Sequence, residues 1–279
     1  MPKMLLKVEN LSMSFGGLKA LSGCNFEIGK GELRGLIGPN GSGKSTFFNV
    51  ISGVYKPDKG SRIWFDNAEI TNRQPHEIAA RGVARTFQLM RLFAEMTVLE
   101  NVLVGYHSLI PYSRPAAAFG LRRVWNAEKR VKDEMMELLS FIGLADFAEL
   151  PASELSGGQR RLLALGRAMA MKPKLLMLDE PASGLSPVNV DNILNMILAM
   201  KEKYGLTVIV IEHILKVVME TCDRVTVLDH GQKISEGRPD QVKEDPKVIE
   251  AYLGKEMDDN EIRAAMGVLD ARAPEVGYP

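Results

Sequence analysis

The chain has 279 residues, enough to bury a full core in one large domain or two smaller ones. Lys+Arg and Asp+Glu both number 35, so no overall field favours nucleic acid, and a DNA or RNA partner is not expected. Cys24 and Cys222 lie far apart without metal-ligand spacing, which argues against a disulfide framework or a zinc site and for two small core residues.

The N-terminal stretch from Met1 to Lys7 is broken by charge, and nothing along the chain approaches a membrane span, so the expected location is the cytoplasm. Strands are expected at Leu6-Lys7-Val8, at Leu11 to Phe15 and, past a Gly16-Gly17 turn, at Leu18 to Ile28, followed by a turn at Gly29-Lys30-Gly31. Leu33 to Ile37 reads as a further strand. The next stretch, Gly38-Pro39-Asn40-Gly41-Ser42-Gly43-Lys44-Ser45, fits G-x-x-x-x-G-K-[ST] and opens a helix over residues 44 to 52. Glycines there let the backbone turn tightly and bring its N–H groups to phosphate oxygens, beside a helix N-terminus with partial positive charge. Asn40, Gly41, Ser42, Gly43, Lys44, Ser45 and Thr46 are therefore expected to line a nucleotide, with Lys44 reaching the β/γ-phosphates and Ser45 ligating Mg²⁺. Phe15, at its strand end, has a flat face that could meet an adenine, although a strand-end Phe taken alone is more often plain core.

Beyond the helix come a loop from Val54 to Gly60, a strand from Ser61 to Phe65, a short helix from Pro75 to Arg81 and a buried strand from Val83 to Phe87. The character turns helical from Thr97 to Leu150, where Val131, Met135, Leu138, Leu139 and Ile142 recur on one helix face, while Ser108 to Arg123 reads as loop. Residues 89 to 165 form the expected helical insertion. Alternation then resumes: strand Leu175 to Leu178, helix Pro187 to Tyr204, strand Thr207 to Ile211 and helix His213 to Thr221, a pattern for a parallel sheet covered on both faces. Val225 to Leu228 and Lys233 to Ser235 flank Asp229-His230-Gly231-Gln232 as a hairpin. Residues 255 to 279 read as a tail, docking or disordered.

Two more stretches carry chemistry. Leu175-Leu176-Met177-Leu178-Asp179-Glu180 puts two carboxylates at the C-terminal end of a buried strand, where ligands sit in open α/β sheets. Asp179 is read as holding Mg²⁺ through its water, and Glu180 as orienting or deprotonating an attacking water. Leu155-Ser156-Gly157-Gly158-Gln159 leads into a helical run from Arg160 to Ala168 and leaves a helix N-terminus open toward an anion. A Ser N-cap alone accounts for Ser156, but not for a Gly-Gly pair that weakens the helix start.

In order and combination these motifs make the sequence, over roughly residues 3 to 253, resemble the ATP-binding cassette family, whose signature LSGGQ lies between the phosphate loop and the carboxylate strand. The resemblance implies an α/β fold: a P-loop NTPase core with a mostly parallel sheet, an N-terminal antiparallel β-subdomain and an inserted α-helical subdomain, all within residues 1 to 254. It implies ATP and Mg²⁺ as ligands, Phe15 stacking on adenine, Gln88 sensing Mg²⁺ and the γ-phosphate, and His213 as the switch on that phosphate. It also implies that Ser156, Gly157, Gly158 and Gln159 complete the ATP site of a second cassette subunit, identical or paralogous. The further implied partners are two membrane permease subunits, contacted through Leu89 to Glu100, and indirectly a periplasmic or lipid-anchored solute-binding protein. The chain would then lie peripherally on the inner face of the membrane. Ser186 departs from the family pattern, which carries Asp there, and so puts tight coupling between two sites in doubt.

Within the family the likeness is greatest to the ATPase subunits of branched-chain amino acid importers. It rests on Arg85-Thr86-Phe87-Gln88, on Arg91 to Val102, on an extra segment at about 105 to 127 and on Gly184-Leu185-Ser186-Pro187. Urea or amide importers and lipopolysaccharide exporters share part of this, and a soluble cassette ATPase acting on nucleic acid or ribosomes is the alternative of another class.

Overall fold

The structure, a computed structural model, describes residues 3–86, 92–110 and 122–253. Strand β1 (Met4–Phe15) pairs with β2 (Leu18–Gly29) across the expected Gly16-Gly17 turn. Two strands were expected where β1 runs continuously, because the break at Asn10, whose φ is 49°, is absorbed as a bulge between Val8 and Leu11. Strand β3 (Leu33–Ile37), with all five residues buried, enters the core and feeds α1 (Lys44–Ile51). Strands β4 (Arg62–Phe65) and β5 (Ala68–Glu69) complete an antiparallel sheet in the order β2-β1-β4-β5.

Helix α2 (Pro75–Ala80) starts at its proline, and β6 (Val83–Arg85) follows. The helical stretch contains α3 (Val98–Tyr106), α4 (Arg122–Phe141) and α5 (Gly157–Met169). Helix α4 begins inside the segment expected to be loop. Its expected apolar face is used, with Met135, Leu138, Leu139 and Ile142 buried and Val131 packed at their margin. Thereafter come β7 (Leu175–Asp179), α6 (Pro187–Tyr204), β8 (Thr207–Ile211), α7 (Leu215–Thr221), the hairpin β9 (Arg224–Asp229) and β10 (Gln232–Gly237), α8 (Pro239–Lys243) and α9 (Pro246–Leu253). His230 and Gly231 turn the hairpin with φ of 45° and 75°, the pair of positive values a tight two-residue turn requires.

The second sheet has the order β10-β9-β3-β8-β7-β6, parallel except for β10. Strands β7 and β8 are buried throughout, as expected for a sheet covered on both faces. One face carries the cluster shared with the antiparallel sheet and α1, including Phe26, Phe47 and Phe48, and the other carries the cluster shared with α3, α4, α5, α6 and α7. Cys24 and Cys222 are both core residues, and burial pushes the Cys222 thiol up to about 12. Because β3, β8 and β7 are adjacent and parallel, Ile37, Ile211 and Asp179 all end on one edge of the sheet. Gln88, the residues 87 to 91 around it, much of the extra segment (111 to 121) and the tail from 255 lie outside the described residues.

Candidate active site

The phosphate loop leaves β3 through three glycines with left-handed φ: Gly38 at 149°, Gly41 at 78° and Gly43 at 104°. At Gly38 a Cβ would lie 2.0 Å from the carbonyl oxygen of Leu228, and at Gly43 2.7 Å from that of Ala20, so backbone occupies the space a side chain would need. The β9–β10 turn braces the loop: the Gly231 N–H donates to the Ser42 carbonyl at 3.0 Å, while the Gly231 carbonyl accepts from the Ser22 N–H at 2.8 Å. Lys44 is buried, its Nζ donating to the carbonyls of Gly38 at 2.7 Å and Pro39 at 2.9 Å. Burial holds its pKa below the usual lysine value, opposed by the charges of Glu180 and Asp179. Asn40, Gly41 and Ser45 are exposed, Ser42 is buried, and Thr46 is half-buried at the start of α1.

Glu180 follows β7 with φ 50°, a conformation a non-glycine residue adopts at a cost, and its N–H donates to the Ile211 carbonyl at 2.9 Å. That bend brings Glu180 Oε1 to 2.6 Å from Nε2 of His213. His213 was expected inside a helix. It lies in the bend between β8 and α7 instead, because Ile214 takes an extended conformation (ψ 92°) and the helix starts only at Leu215; the His213 N–H donates to the Glu212 side chain at 3.3 Å.

Asp179 receives Arg85 Nη2 on Oδ2 at 2.8 Å, both side chains only 8% exposed. Arg85 Nη1 also reaches Asn49 Oδ1 at 2.7 Å, and the guanidinium stands 5.4 Å over the Phe48 ring, so this one residue links β6, β7 and α1. Arg85 pairs with Met177, which puts Asp179, two residues on, on the same face of the sheet. Sequence reasoning gave Arg85 no role here. The available signal was a cation inside a short buried strand, which demands a counter-charge. Glu212, 2% exposed, was also passed over.

Ser156 N-caps α5 and accepts from the Gln159 N–H at 3.3 Å, while Gln159 Oε1 accepts from the Ser156 N–H at 2.9 Å. Gly157 and Gly158 have no left-handed φ, and a Cβ at either would meet nothing within 4 Å. Neither conformation nor packing within this chain requires glycine there. The hydrogen bonds of Ser156 and Gln159 close on each other, whereas Lys44, Asp179, Glu180 and His213 form one electrostatic cluster. Phe15, 43% exposed at the end of β1, meets Tyr55 edge to face at 5.2 Å. Ser186 N-caps α6 without a side-chain hydrogen bond.

The glycine cradle and the desolvated Lys44 fit a triphosphate. Among the described residues no group of three or more His, Cys, Asp or Glu is placed to hold a metal ion by itself. A divalent ion here would therefore draw on Ser45, Asp179 and nucleotide oxygens, the open coordination that suits Mg²⁺.

A phosphate loop, a strand-end carboxylate pair and a histidine at one edge of a mostly parallel sheet define a P-loop nucleoside triphosphatase. Residues 21–183 match the family described as ABC transporter, and residues 232–258 match the one described as branched-chain amino acid ATP-binding cassette transporter. The high-affinity branched-chain amino acid transport ATP-binding protein BraF of Pseudomonas aeruginosa is 39% identical over 255 residues, covering 91% of this chain and 100% of BraF. The probable branched-chain amino acid transport ATP-binding protein LivG of Methanocaldococcus jannaschii is 40% identical, covering 90% of this chain and 98% of LivG. Among solved structures, the ADP conformation of the cassette MJ1267 has a TM-score of 0.78 at 39% identity, covering 90% of this chain and 99% of MJ1267. A dimeric post-hydrolysis state of the cassette MJ0796 bound to ADP and Pi has a TM-score of 0.67 at 27% identity, covering 84% of this chain and 99% of MJ0796. This chain belongs to the ABC transporter family of ATP-binding cassettes, and its reaction is ATP hydrolysis. Among the described residues no helix is long and apolar enough to cross a membrane.

Proposed function

We propose that the chain is the ATP-hydrolysing subunit of a branched-chain amino acid importer and works as one of a pair of cassettes that close over ATP. The observation that carries the catalytic part is the 2.6 Å contact of Glu180 with His213 on the sheet edge that also carries Lys44. In this reading the loop from Asn40 to Thr46 grips the phosphates, Phe15 stacks on adenine, and Lys44 exchanges loop carbonyls for the β/γ-phosphates, a stronger charge-assisted contact. Glu180 orients the attacking water and accepts its proton, and His213 holds the Glu180 carboxylate and reads the γ-phosphate. Ser45, Asp179 and Gln88 would hold Mg²⁺, which neutralises charge developing on the phosphates.

The pairing is supported by Gly157 and Gly158, whose lack of side chains serves nothing in this chain and leaves the start of α5 open to an outside ligand. Together with Ser156 and Gln159 they would face the ATP of the opposite subunit. ATP stabilises the closed pair because its γ-phosphate bridges two subunits, and hydrolysis removes the bridge. The solute class is supported by the names of the relatives and by the match over residues 232–258. Two permease subunits would be engaged through Leu89 to Glu100, where Phe93 stands exposed, holding the chain at the inner membrane face and linking it indirectly to an outside solute-binding protein. Residues 1–254 would act as one nucleotide-binding unit with the helical insert at about 89–165 and a separate tail at 255–279.

The test is size-exclusion chromatography with light scattering on Glu180→Gln. MgATP is expected to convert it to a dimer that ADP does not support, and a monomer under both nucleotides would overturn the paired site. Co-reconstitution of the wild type with its permeases, any paralogous cassette and the solute-binding protein in liposomes should give leucine-dependent ATPase. ATPase indifferent to leucine, isoleucine and valine would overturn the solute class.

A further inference from the structure

We propose that Glu212 is a positioning residue that sets His213 and the loop from Pro181 to Ser186 as one unit, and that Arg161 ties that unit to the segment Ser156–Gln159. The Arg161 half rests on the two-subunit reading above, since only there does that segment have a ligand.

Glu212 follows β8 with a carboxylate shielded from water, an arrangement that costs stability unless both oxygens are used. Both are. Oε1 accepts from the Ala182 N–H at 2.7 Å and Oε2 from the His213 N–H at 3.3 Å. Burial pushes the carboxyl up and these two donors pull it back; the charged groups around it are Glu180, His213 and Arg161. One side chain thus fixes the backbone on each side of the catalytic contact: His213, next to it in the chain, and Ala182, two residues past Glu180.

Ala182 is fully buried against Val190 of α6 and Val217 of α7, so its position also sets how the 181–186 loop leaves the core. The next carbonyl, that of Ser183, accepts a hydrogen bond from Arg161 Nη2, two residues past Gln159 in α5. The contacts form a continuous chain from Arg161 to Ser183, from Ala182 to Glu212, and from Glu212 through His213 to Glu180. Ser186 brings no charge to this loop and its side chain makes no capping bond; Glu212 and Arg161 hold the loop through its backbone, beside its own turn bonds from the Ser183 N–H to the Glu180 carbonyl and from the Leu185 N–H to the Ala182 carbonyl.

The experiment measures steady-state ATPase on full-length Glu212→Ala, Glu212→Gln and Arg161→Ala, with hydrogen exchange on peptides spanning 181–186 and 212–214. For Glu212→Ala, kcat is expected to fall about tenfold or more while KM for ATP stays within about twofold, the signature of lost transition-state alignment rather than lost binding. Exchange should quicken in both peptides. Glu212→Gln keeps one carbonyl acceptor for Ala182 and should recover part of kcat. If Glu212→Ala fails to fold, an intermediate kcat with faster exchange at 212–214 in Glu212→Gln supports the assignment. Wild-type kcat in either variant, or a lowered melting temperature with unchanged kcat, overturns it.

Arg161→Ala combined with Glu212→Ala should lower kcat by less than the product of the single effects, because both act on one loop, and a fully multiplicative loss overturns the Arg161 link. The two readings fail separately. A monomeric Glu180→Gln under MgATP removes the paired site and leaves the Glu212 measurements standing, whereas an ATP-dependent dimer with unaltered Glu212→Ala kinetics removes this proposal alone.

Discussion

Glu180 Oε1 and His213 Nε2 meet at 2.6 Å across the ends of two neighbouring parallel strands, β7 and β8. A carboxylate that accepts from an imidazole is held in one rotamer, and the imidazole is held in one orientation, so each aligns the other for an in-line water attack. Glu180→Gln should therefore bind ATP normally while turnover drops on the order of 10²-fold or more, the usual worth of a positioned base. Phosphate release in single-turnover assays checks this. Wild-type turnover in that variant would remove Glu180 as the base. His213→Ala should lose a comparable factor, and the double variant little more, since the two residues act as a unit.

Lys44 is the cation of the phosphate loop and also its internal tie, through Gly38 and Pro39. Lys44→Ala should weaken ATP binding about 10-fold or more, which corresponds to one lost charge-assisted hydrogen bond at about 1.5–3 kcal/mol. Calorimetric titration measures it, and an unchanged affinity would contradict the assigned position of the triphosphate.

Arg85 and Asp179 form a pair only 8% exposed on either side. Arg85→Met leaves Asp179 buried without its ion-pair partner and should cost about 3–5 kcal/mol of folding stability, read from urea denaturation. Adding Asp179→Asn should restore much of that loss while abolishing ATPase. A single-variant loss below about 1 kcal/mol, the range of exposed pairs, would show the site to be wetter than its burial indicates.

Two glycine substitutions separate folding from function. Gly38→Ala forces a Cβ to 2.0 Å from the Leu228 carbonyl and should lower the melting temperature along with nucleotide binding. Gly157→Ala meets open space at the start of α5, where alanine is the better helix former, so stability should hold or rise by up to about 1 kcal/mol. The same variant should lose ATP-dependent dimerisation. Thermal melts and light scattering on both proteins make the comparison.

Hydrogen bonds from Lys174, at 2.6 Å, and Lys30 hold the Asp66 carboxyl down to about 2 from 3.8. A depressed carboxyl pKa contributes stability that is complete above the unfolded value and is lost as pH falls toward the folded one. The urea midpoint of the wild type should therefore exceed that of Asp66→Asn at pH 6, with the difference shrinking between pH 4 and pH 2. A constant difference over that range would assign the effect to packing.

Much of the architecture was legible because it is local. The glycine spacing of Gly38 to Ser45 dictates a left-handed turn wherever it occurs, and short apolar runs such as Leu175 to Leu178 leave little choice but a buried strand. Element edges were less legible. Helix α4 reaches back to Arg122 in a stretch whose local pattern spoke for loop, and His213 precedes α7 because Ile214 between them is extended. Where a helix starts is set by the backbone of one or two residues, which leaves no periodicity to read.

Sequence alone singled out Lys44, Ser45, Asp179 and Glu180 as candidates to meet a triphosphate, because a glycine-rich turn opening a helix and carboxylates ending a buried strand are local patterns, whereas His213 entered through the family resemblance. Tertiary structure alone decided who holds them. Arg85 finds Asp179 across 94 positions, and Glu212 finds Ala182 across 30, in contacts made only when strands from distant parts of the chain share one sheet edge. A buried charge must find its partner in space, and the linear chain carries no distance between them.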